Sequence, residues 1–184
     1  MATVEATKQI TPEELLALPD SKQFELVNGE LVERHMGWNS GWNGAQILYF
    51  LTQYERSSHL GRATNPEGGY RCYPDDPLKV RKPDASFIRN ERLPADDELD
   101  GWCRVAPNVA VEVVSPNDLD LEVDEKVAEY LAAGVELVWV IRPPRRTVRV
   151  HRADGSVTNL HLGEFLEGEN VLPGFRVAVA ELFK

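Results

Sequence analysis

Two acidic residues and a lysine stand where they could share one chemical site. Asp84 follows a proline at the start of a predicted strand, and Glu112 lies inside the apolar run VAVEVVSP. Lys126 belongs to the helix predicted to follow Glu112. An ionised carboxylate removed from water without a partner costs several kcal/mol. A divalent cation such as Mg²⁺, which one or two carboxylates hold together with waters and phosphate oxygens, would compensate that charge if the two strands are neighbours.

Each of these residues also has a purely structural interpretation. Half-buried acids often pair only with Arg or Lys, and Pro-Asp is common at turns and strand starts. Glu122 and Lys126 have the i,i+4 spacing of a surface ion pair on a helix. Residue types and spacing therefore leave both interpretations open.

Three helices are predicted around these residues. The first begins with the capping-box order Thr11-Pro12-x-Glu14 and ends at about Leu18. Helical spacing of apolar residues predicts the other two helices from Trp42 to about His59 and from Glu122 to Ala133, with Gly134 as the stop.

The strand pattern predicts an α/β fold. Asn28-Gly29 and Asp154-Gly155 each separate two strand-like runs and predict hairpins near the two ends of the chain. The runs PDASFI, NVAVEVV and ELVWVI indicate central strands, and a crossover between Val114 and Leu137 favours a parallel pair. We therefore expect a mixed β-sheet flanked by helices, with N- and C-terminal hairpins.

Length and composition are those of an ordinary globular protein. The 184 residues predict a single domain over 1–184, with 42% apolar and 27% charged residues. A net charge of −10 weighs against a protein that coats nucleic acid nonspecifically, but not against local binding. With no apolar run of about 18 residues and no signal-peptide pattern, a cytoplasmic location away from membranes is expected. Cys72 and Cys103 are expected to be free thiols.

Basic and aromatic clusters are further candidates for contacts with a phosphate backbone or a base. The basic residues fall in two groups: Lys79, Arg81, Lys82, Arg89 and Arg92 around Asp84, and Arg142, Arg145, Arg146, Arg149 and Arg152 around the second hairpin. They could position phosphates or simply form a solvated face. The segment WNSGWNGAQ could stack on a flipped or frayed base, or make a core or dimer contact.

In combination, several of these segments resemble one known family. TPEELLALP, FELVNGELVER, RKPDASFI, APNVAVEVVSPND, KVAEYLAAGVELVWVIRPPRRTVRVHR and VLPGF occur in this order, nearly to Phe183. Together they are similar to the Uma-type family of restriction endonucleases, within the PD-(D/E)XK nuclease superfamily. The resemblance implies a restriction-endonuclease-like core.

The resemblance also implies roles for individual residues. Asp84 matches the aspartate of the PD half-motif and Glu112 the second acid, so both would be metal ligands, and the main-chain carbonyl of Val113 would complete the site. The superfamily usually has a lysine two residues after the second acid, where this chain has Val114. Lys126 matches a variant in which the lysine has moved to the following helix.

Two positions near this motif are less determined. Asn108 stands where an acid usually follows proline before the second strand, and it is not counted as a ligand. Nucleases of this fold often add a third acid from an N-terminal element, and Glu25 and Glu33 both remain candidates.

The expected function follows from the resemblance. It is a Mg²⁺-dependent endonuclease, with Mn²⁺ as a substitute, that hydrolyses DNA phosphodiester bonds with Asp84, Glu112 and Lys126 as catalytic residues, working as a homodimer. The alternative is a catalytically inactive nuclease-like module for binding or assembly, whose carboxylates are held in ion pairs.

Overall fold

A computed structural model describes residues 9–35, 37–95 and 100–184. Residues 1–8, to which the expected absence of a signal peptide applies, lie outside these ranges, as do Met36 and residues 96–99. Within them, no helix is both long and apolar enough to cross a membrane. Both cysteines are free thiols, as expected.

The centre of the fold is a six-stranded mixed sheet in the order β3-β4-β5-β6-β7-β8. Only β5 and β6 pair in parallel, and α3 connects them, so the predicted crossover is confirmed. The six strands are β3 (Gly61–Thr64), β4 (Ala85–Arg89), β5 (Val109–Val113), β6 (Leu137–Arg142), β7 (Thr147–Arg152) and β8 (Val157–Leu160). The second predicted hairpin is β7-β8, which extends this sheet.

Two small hairpins lie outside the central sheet. The N-terminal one joins β1 (Phe24–Val27) to β2 (Glu30–Glu33) through Asn28-Gly29, both with positive φ as a type I′ turn requires. The C-terminal one pairs β9 (Phe165–Glu167) with β10 (Arg176–Ala178). Leu26 of β1 also bridges to Val80, which brings the N-terminal hairpin next to the segment that precedes β4.

Among the described residues, three α-helices and three short 3₁₀ helices accompany the strands. The α-helices are α1 (Pro12–Ala17), α2 (Trp38–Ser58) and α3 (Asp120–Ala132). The 3₁₀ helices are Ser21–Gln23, Pro143–Arg145 and Val179–Phe183. The capping box at Thr11 and Glu14 is present as predicted. The predicted start of α2 at Trp42 was wrong by one turn, because the helix already begins at Trp38.

The helices cover the two faces of the sheet, as the alternation along β5 predicts. Val109, Val111 and Val113 face one core, which also contains Ile47 and Leu51 of α2. The opposite face, with Ala110 of β5, packs against α3. Glu112 shares the face of Ala110 by strand alternation, so its carboxylate emerges next to α3.

Candidate functional site

The pairing of β4 with β5 brings Asp84 beside Glu112. Ala85 pairs with Val111, and one residue further along the same antiparallel register stands Asp84 opposite Glu112. The Asp84 amide donates to the Val111 carbonyl at 2.8 Å, which continues the ladder past the end of β4. Asp84 Oδ2 in turn accepts from the Val113 amide at 2.8 Å, so the backbone of Val113 belongs to the same cluster.

Two side chains of α3 contact the carboxylate of Glu112. Tyr130 donates its hydroxyl to Oε1 at 2.6 Å, and the Lys126 ammonium lies 3.3 Å from Oε2. Lys126 and Tyr130 are four residues apart and therefore project from the same face of the helix. The ammonium thus points into the fold, and not toward Glu122 as the surface-pair interpretation would require.

A third acid joins this cluster from β1. Glu25 is buried, and its Oε2 lies 3.1 Å from the Lys126 ammonium and 3.0 Å from Arg81 Nη1. Its Oε1 accepts from the Lys82 amide at 2.8 Å. Glu33, the other candidate, is exposed on β2. Of the two, Glu25 is the acid that the structure brings next to the charge cluster formed by Asp84, Glu112 and Lys126.

A further acid, Glu129, binds the basic side chains of Lys79 and Arg81 next to Glu25. Glu129 of α3 accepts from Arg81 Nε at 2.7 Å and from the Lys79 ammonium at 2.6 Å. Arg81 therefore bridges Glu25 and Glu129, and these ion pairs fasten α3 to the segment that precedes Asp84. Removing one partner of a buried ion pair leaves an uncompensated charge and is costly. This network of ion pairs therefore fixes the positions of both Lys126 and Glu25.

Two contacts of the site were missed from the sequence. Arg34, just after β2, donates Nη2 to Asp84 Oδ1 at 3.0 Å with its side chain only 10% exposed. No spacing signal connects residues 34 and 84, so only the fold reveals this pair. The contact of Tyr130 with Glu112 was also missed, although its position four residues after Lys126 was an available signal.

The environment shifts the carboxyl groups of Asp84 and Glu25 in opposite directions. Burial and the nearby charge of Glu112 raise the pKa of Asp84 to about 7, although Arg34 and the Val113 amide oppose this shift. Burial also raises the pKa of Glu25, but the charges of Lys126 and Arg81 and the Lys82 amide outweigh it and lower the pKa to about 2. Glu25 is thus a compensated anion, whereas Asp84 lacks sufficient positive charge.

The same contacts keep Lys126 charged. Burial alone would lower the pKa of the ammonium, but the carboxylates of Glu112 and Glu25 raise it above its ordinary value. Lys82 differs, because burial and the charge of Arg34 lower its pKa to about 8. Its ammonium donates to the Ser21 carbonyl and lies 4.9 Å from the centre of the Trp102 ring, away from Glu112.

The donor atoms of this site fit a hard divalent cation. Asp84 and Glu112 offer carboxylate oxygens, and the main chain of Val113 lies beside them, which is the ligand type that Mg²⁺ prefers. Burial and the Glu112 carboxylate raise the pKa of Asp84, and a bound cation would offset both effects. Among residues 9–35, 37–95 and 100–184, however, no three His, Cys, Asp or Glu side chains form a metal-binding group. Two carboxylates with water and phosphate oxygens would have to suffice.

A cavity of about 250 Å³ opens next to this cluster. Glu25, Glu112 and Lys126 lie in its wall, and His35 and Arg81 also line it. Four further acids line the same cavity: Glu33, Asp118, Glu122 and Glu125. A wall so rich in carboxylates attracts cations and repels a bare phosphate, so a phosphodiester would require a cation in order to approach.

Most basic residues considered for phosphate binding are engaged within the fold. Around Asp84, Lys79 and Arg81 bind Glu129, Arg92 binds Glu136 and Arg89 binds Glu91. In the second group, Arg142 pairs with Asp120 and Arg152 with Glu169, while Arg149 lies 4.0 Å from Asp124. Arg145 and Arg146 are exposed at the turn between β6 and β7.

Comparison of folds identifies the class of protein. A crystal structure titled as a putative nuclease belonging to DUF820, from Anabaena variabilis, superposes with a TM-score of 0.79 at 20% sequence identity. The match covers 95% of this chain and 97% of that chain. The two proteins therefore share one α/β fold, with the mixed sheet flanked by helices that was expected.

The family follows from the sequence itself. Residues 12–180 match the Uma2 family, which carries the description "Putative restriction endonuclease". This match spans most of the chain, and the chain belongs to the Uma2 family. A search among curated proteins found no match.

Proposed function

We propose that the chain is a Mg²⁺-dependent endonuclease that hydrolyses DNA phosphodiester bonds. The observation that carries this proposal is the convergence of Asp84, Glu112 and Lys126, which come from two strands and a helix, at one cluster beside an acidic cavity. Membership of the Uma2 family supports the reaction class.

Asp84, Glu112 and the Val113 carbonyl are the proposed ligands of the cation. A bound Mg²⁺, or Mn²⁺ in its place, lowers the pKa of its water and stabilises the charge that develops on the phosphate. Arg34 donates to one carboxylate oxygen of Asp84, and the Val113 amide donates to the other. Together they fix the orientation of this carboxylate. Tyr130 orients Glu112 in the same way.

Lys126 is proposed to act as a charged donor. Because Glu112 and Glu25 raise the pKa of its ammonium, it stays protonated at neutral pH and is unsuited to abstract a proton. It would orient the attacking water or donate to a phosphate oxygen, as a compact point charge can. Glu25 contacts this ammonium and Arg81 holds Glu25, so the two residues position Lys126.

Cleavage assays test these roles directly. We expect Asp84→Ala, Glu112→Ala and Lys126→Ala each to abolish Mg²⁺-dependent nicking of supercoiled DNA, because each removes a ligand or the donor. Asp124→Ala, which removes an exposed acid from the same helix as Lys126, is the matched control and should retain activity. Full activity in all three folded site variants would refute the proposed site.

Thermal melting tests the cation separately from cleavage. A ligand at 100 times its dissociation constant stabilises the native state by about 2.7 kcal/mol, or about 5–10 °C in Tm for a chain of this size. We expect Mn²⁺ or Mg²⁺ to raise the Tm of the wild type and to leave that of Asp84→Asn unchanged. An equal increase in both proteins would place the bound cation elsewhere.

The second candidate is a catalytically inactive module for binding or assembly. Specific contacts favour it, since both oxygens of Glu112 already accept from Tyr130 and Lys126, and Glu25 is held by Arg81. Under this alternative the ion pairs exist for stability alone. A Tm that does not respond to divalent cations, together with no cleavage by the wild type, would decide for the module.

We further propose DNA as the nucleic acid, a homodimer as the assembly and the cytoplasm as the location. Free thiols at Cys72 and Cys103 accord with a reducing compartment. A homodimer would offer one site to each strand of a duplex. Light scattering gives the mass in solution, and parallel assays on DNA and RNA decide the substrate.

A further inference from the structure

Two tryptophans at the start of α2 are exposed to solvent. The side chain of Trp38 is 87% exposed and that of Trp42 is 49% exposed. The two residues are four apart and therefore lie on the same face of the helix. Large aromatic side chains normally contribute to a core or to a binding surface, so an exposed pair on one face indicates a ligand.

Trp42 stands in the wall of a groove of about 330 Å³. The groove separates the start of α2, with Asn39 and Asn43, from the turn at Pro144 and Arg146. The indole of Trp42 donates Nε1 to the Lys184 carbonyl at 3.1 Å, which fixes the plane of the ring. The ring is therefore held as a preorganised platform at the edge of the groove.

The groove lies close in the chain to the candidate cation site. Val114 and Pro116 line it and directly follow the segment of Glu112 and Val113. Directly after Asn43, a Cβ placed on Gly44 would lie 3.9 Å from Asp84 Cβ. A strand whose phosphate reached Asp84 and Glu112 would thus have its neighbouring nucleotide close to this groove.

The charge of the groove differs from that of the acidic cavity. None of the described residues that line the groove is acidic, although the whole chain has a net charge of −10. Arg146 is its cationic residue, and its φ of 51° places it in the left-handed region at the end of the Pro143–Arg145 turn. An aromatic ring, the exposed amide of Asn39 and a guanidinium together suit a planar base attached to a phosphate.

We propose that Trp38, Trp42 and Arg146 form a subsite for an unpaired base and its adjoining phosphate in the DNA strand that occupies the cleavage site. This inference rests on the proposed function and specifies its substrate: DNA with an unstacked or single-stranded nucleotide beside the bond that is cleaved. The indoles stack on the base, and the guanidinium contacts the phosphate. An interface between two copies of the chain is the competing use of the same tryptophans.

Binding without cleavage provides the test. Each variant is prepared with Asp84→Asn, and the affinity for a fluorescent single-stranded DNA is measured by anisotropy in EDTA and in Mg²⁺. Removal of a stacked ring by Trp42→Ala or Trp38→Ala is expected to weaken binding about five- to a hundredfold. Trp42→Phe should retain most of the affinity, because it keeps a ring at the same place.

Two further variants sharpen the comparison. Arg146→Asn removes the guanidinium but tolerates the positive φ, and it should also weaken binding. Tyr49→Ala removes a 54% exposed ring from the same helix outside the groove, and its affinity should equal that of the parent. Unchanged affinity in both tryptophan variants would overturn the subsite.

Light scattering on the same proteins distinguishes a DNA subsite from an interface between two copies of the chain. If Trp38→Ala converts a dimer into a monomer while the monomer binds DNA as tightly as the parent, the tryptophans form an interface and the subsite is wrong. The proposed function can fail separately. If the wild type never cleaves DNA but its DNA binding depends on Trp42, the subsite proposal is supported and the nuclease proposal is wrong. If the wild type cleaves DNA but its binding does not depend on Trp38 or Trp42, the nuclease function is retained and the subsite is wrong.

Discussion

At the scale of single residues, the partners of a buried acid decide what it can do. Glu25 is buried and Asp84 half-buried; cations surround Glu25, whereas an anion adjoins Asp84. The pKa values of the two groups therefore separate widely. Glu25 is suited to hold Lys126 in place, and Asp84 is suited to accept a cation.

Replacement of Glu25 tests its part in stability. We expect Glu25→Gln to lower the free energy of unfolding by about 3–5 kcal/mol at pH 7, because Arg81 and Lys126 lose a buried partner. The folded-state pKa of about 2 lies below the ordinary value of 4.5, so this stabilisation exists above pH 4.5 and disappears as the pH falls toward 2.

Urea denaturation in EDTA at pH 7 and pH 3 measures this difference. The gap between wild type and Glu25→Gln should be smaller at pH 3. Glu33→Gln, on the exposed neighbouring strand, should change stability by less than about 0.5 kcal/mol. A gap that widened on acidification would contradict the assignment of Glu25 as a compensated anion.

At the scale of elements, the site depends on how β4 is held between its neighbours. Edge strand β3 pairs with β4, and β4 pairs with β5, so the position of Asp84 relative to Glu112 follows from two ladders. The ladder between β3 and β4 is closely packed. A Cβ on Gly61 of β3 would lie 2.2 Å from the Ile88 carbonyl oxygen and 2.6 Å from the Phe87 ring.

Two glycine substitutions give opposite expectations. Gly61→Ala must displace β3 or β4, and we expect it to lower the free energy of unfolding by about 1–3 kcal/mol and to reduce cleavage. Gly41→Ala, in the interior of α2 with open space around its Cβ, should stabilise the protein by about 0.5–1 kcal/mol. Thermal melting and nicking assays on both variants check this, and a destabilised Gly41→Ala would show that α2 begins later than described.

Local patterns predicted the elements well where burial is regular and poorly where it is not. The alternation of valines in β5 and the capping box of α1 were readable because each depends on neighbouring residues alone. The start of α2 could not be predicted in this way, because the sequence from Trp38 to Gly41 contains Asn, Ser and Gly, which are weak helix formers. Tertiary contacts, such as those of Asn43 and Trp42 with the C-terminal residues, support that turn.

At the scale of the whole molecule, the site joins segments that are distant in the chain. Family resemblance located Asp84, Glu112 and Lys126, and the strand order then explains why they meet. The contact of Arg34 with Asp84 could not be predicted, since it depends on where the N-terminal hairpin docks. The same docking selects Glu25 over Glu33, two acids that the sequence alone leaves equivalent.

The overall charge limits how strongly DNA can bind through its phosphates. With many basic side chains paired to acids of the same chain, we expect only a few phosphate contacts, chiefly through Arg145 and Arg146. At about −0.7 per contact on a single strand, the slope of log K against log salt should be no steeper than about −3.

Anisotropy titrations between about 50 and 200 mM salt measure this slope. Arg146→Asn should make it shallower by about 0.7, whereas Trp42→Ala should weaken binding without altering it, because stacking releases no counterions. A slope near −10 in the parent protein would point to a much larger basic surface than the described residues offer.

The reach of Lys126 depends on the short turn between β5 and α3. In this turn the Ser115 amide donates to Asp118 at 2.7 Å, and α3 begins two residues later. One inserted residue at the start of the helix would rotate every later side chain by about 100°. A single-codon insertion there is therefore expected to remove the contact of Lys126 with Glu112 while preserving the fold. A lysine in the corresponding helix of a relative does not by itself show that this contact exists.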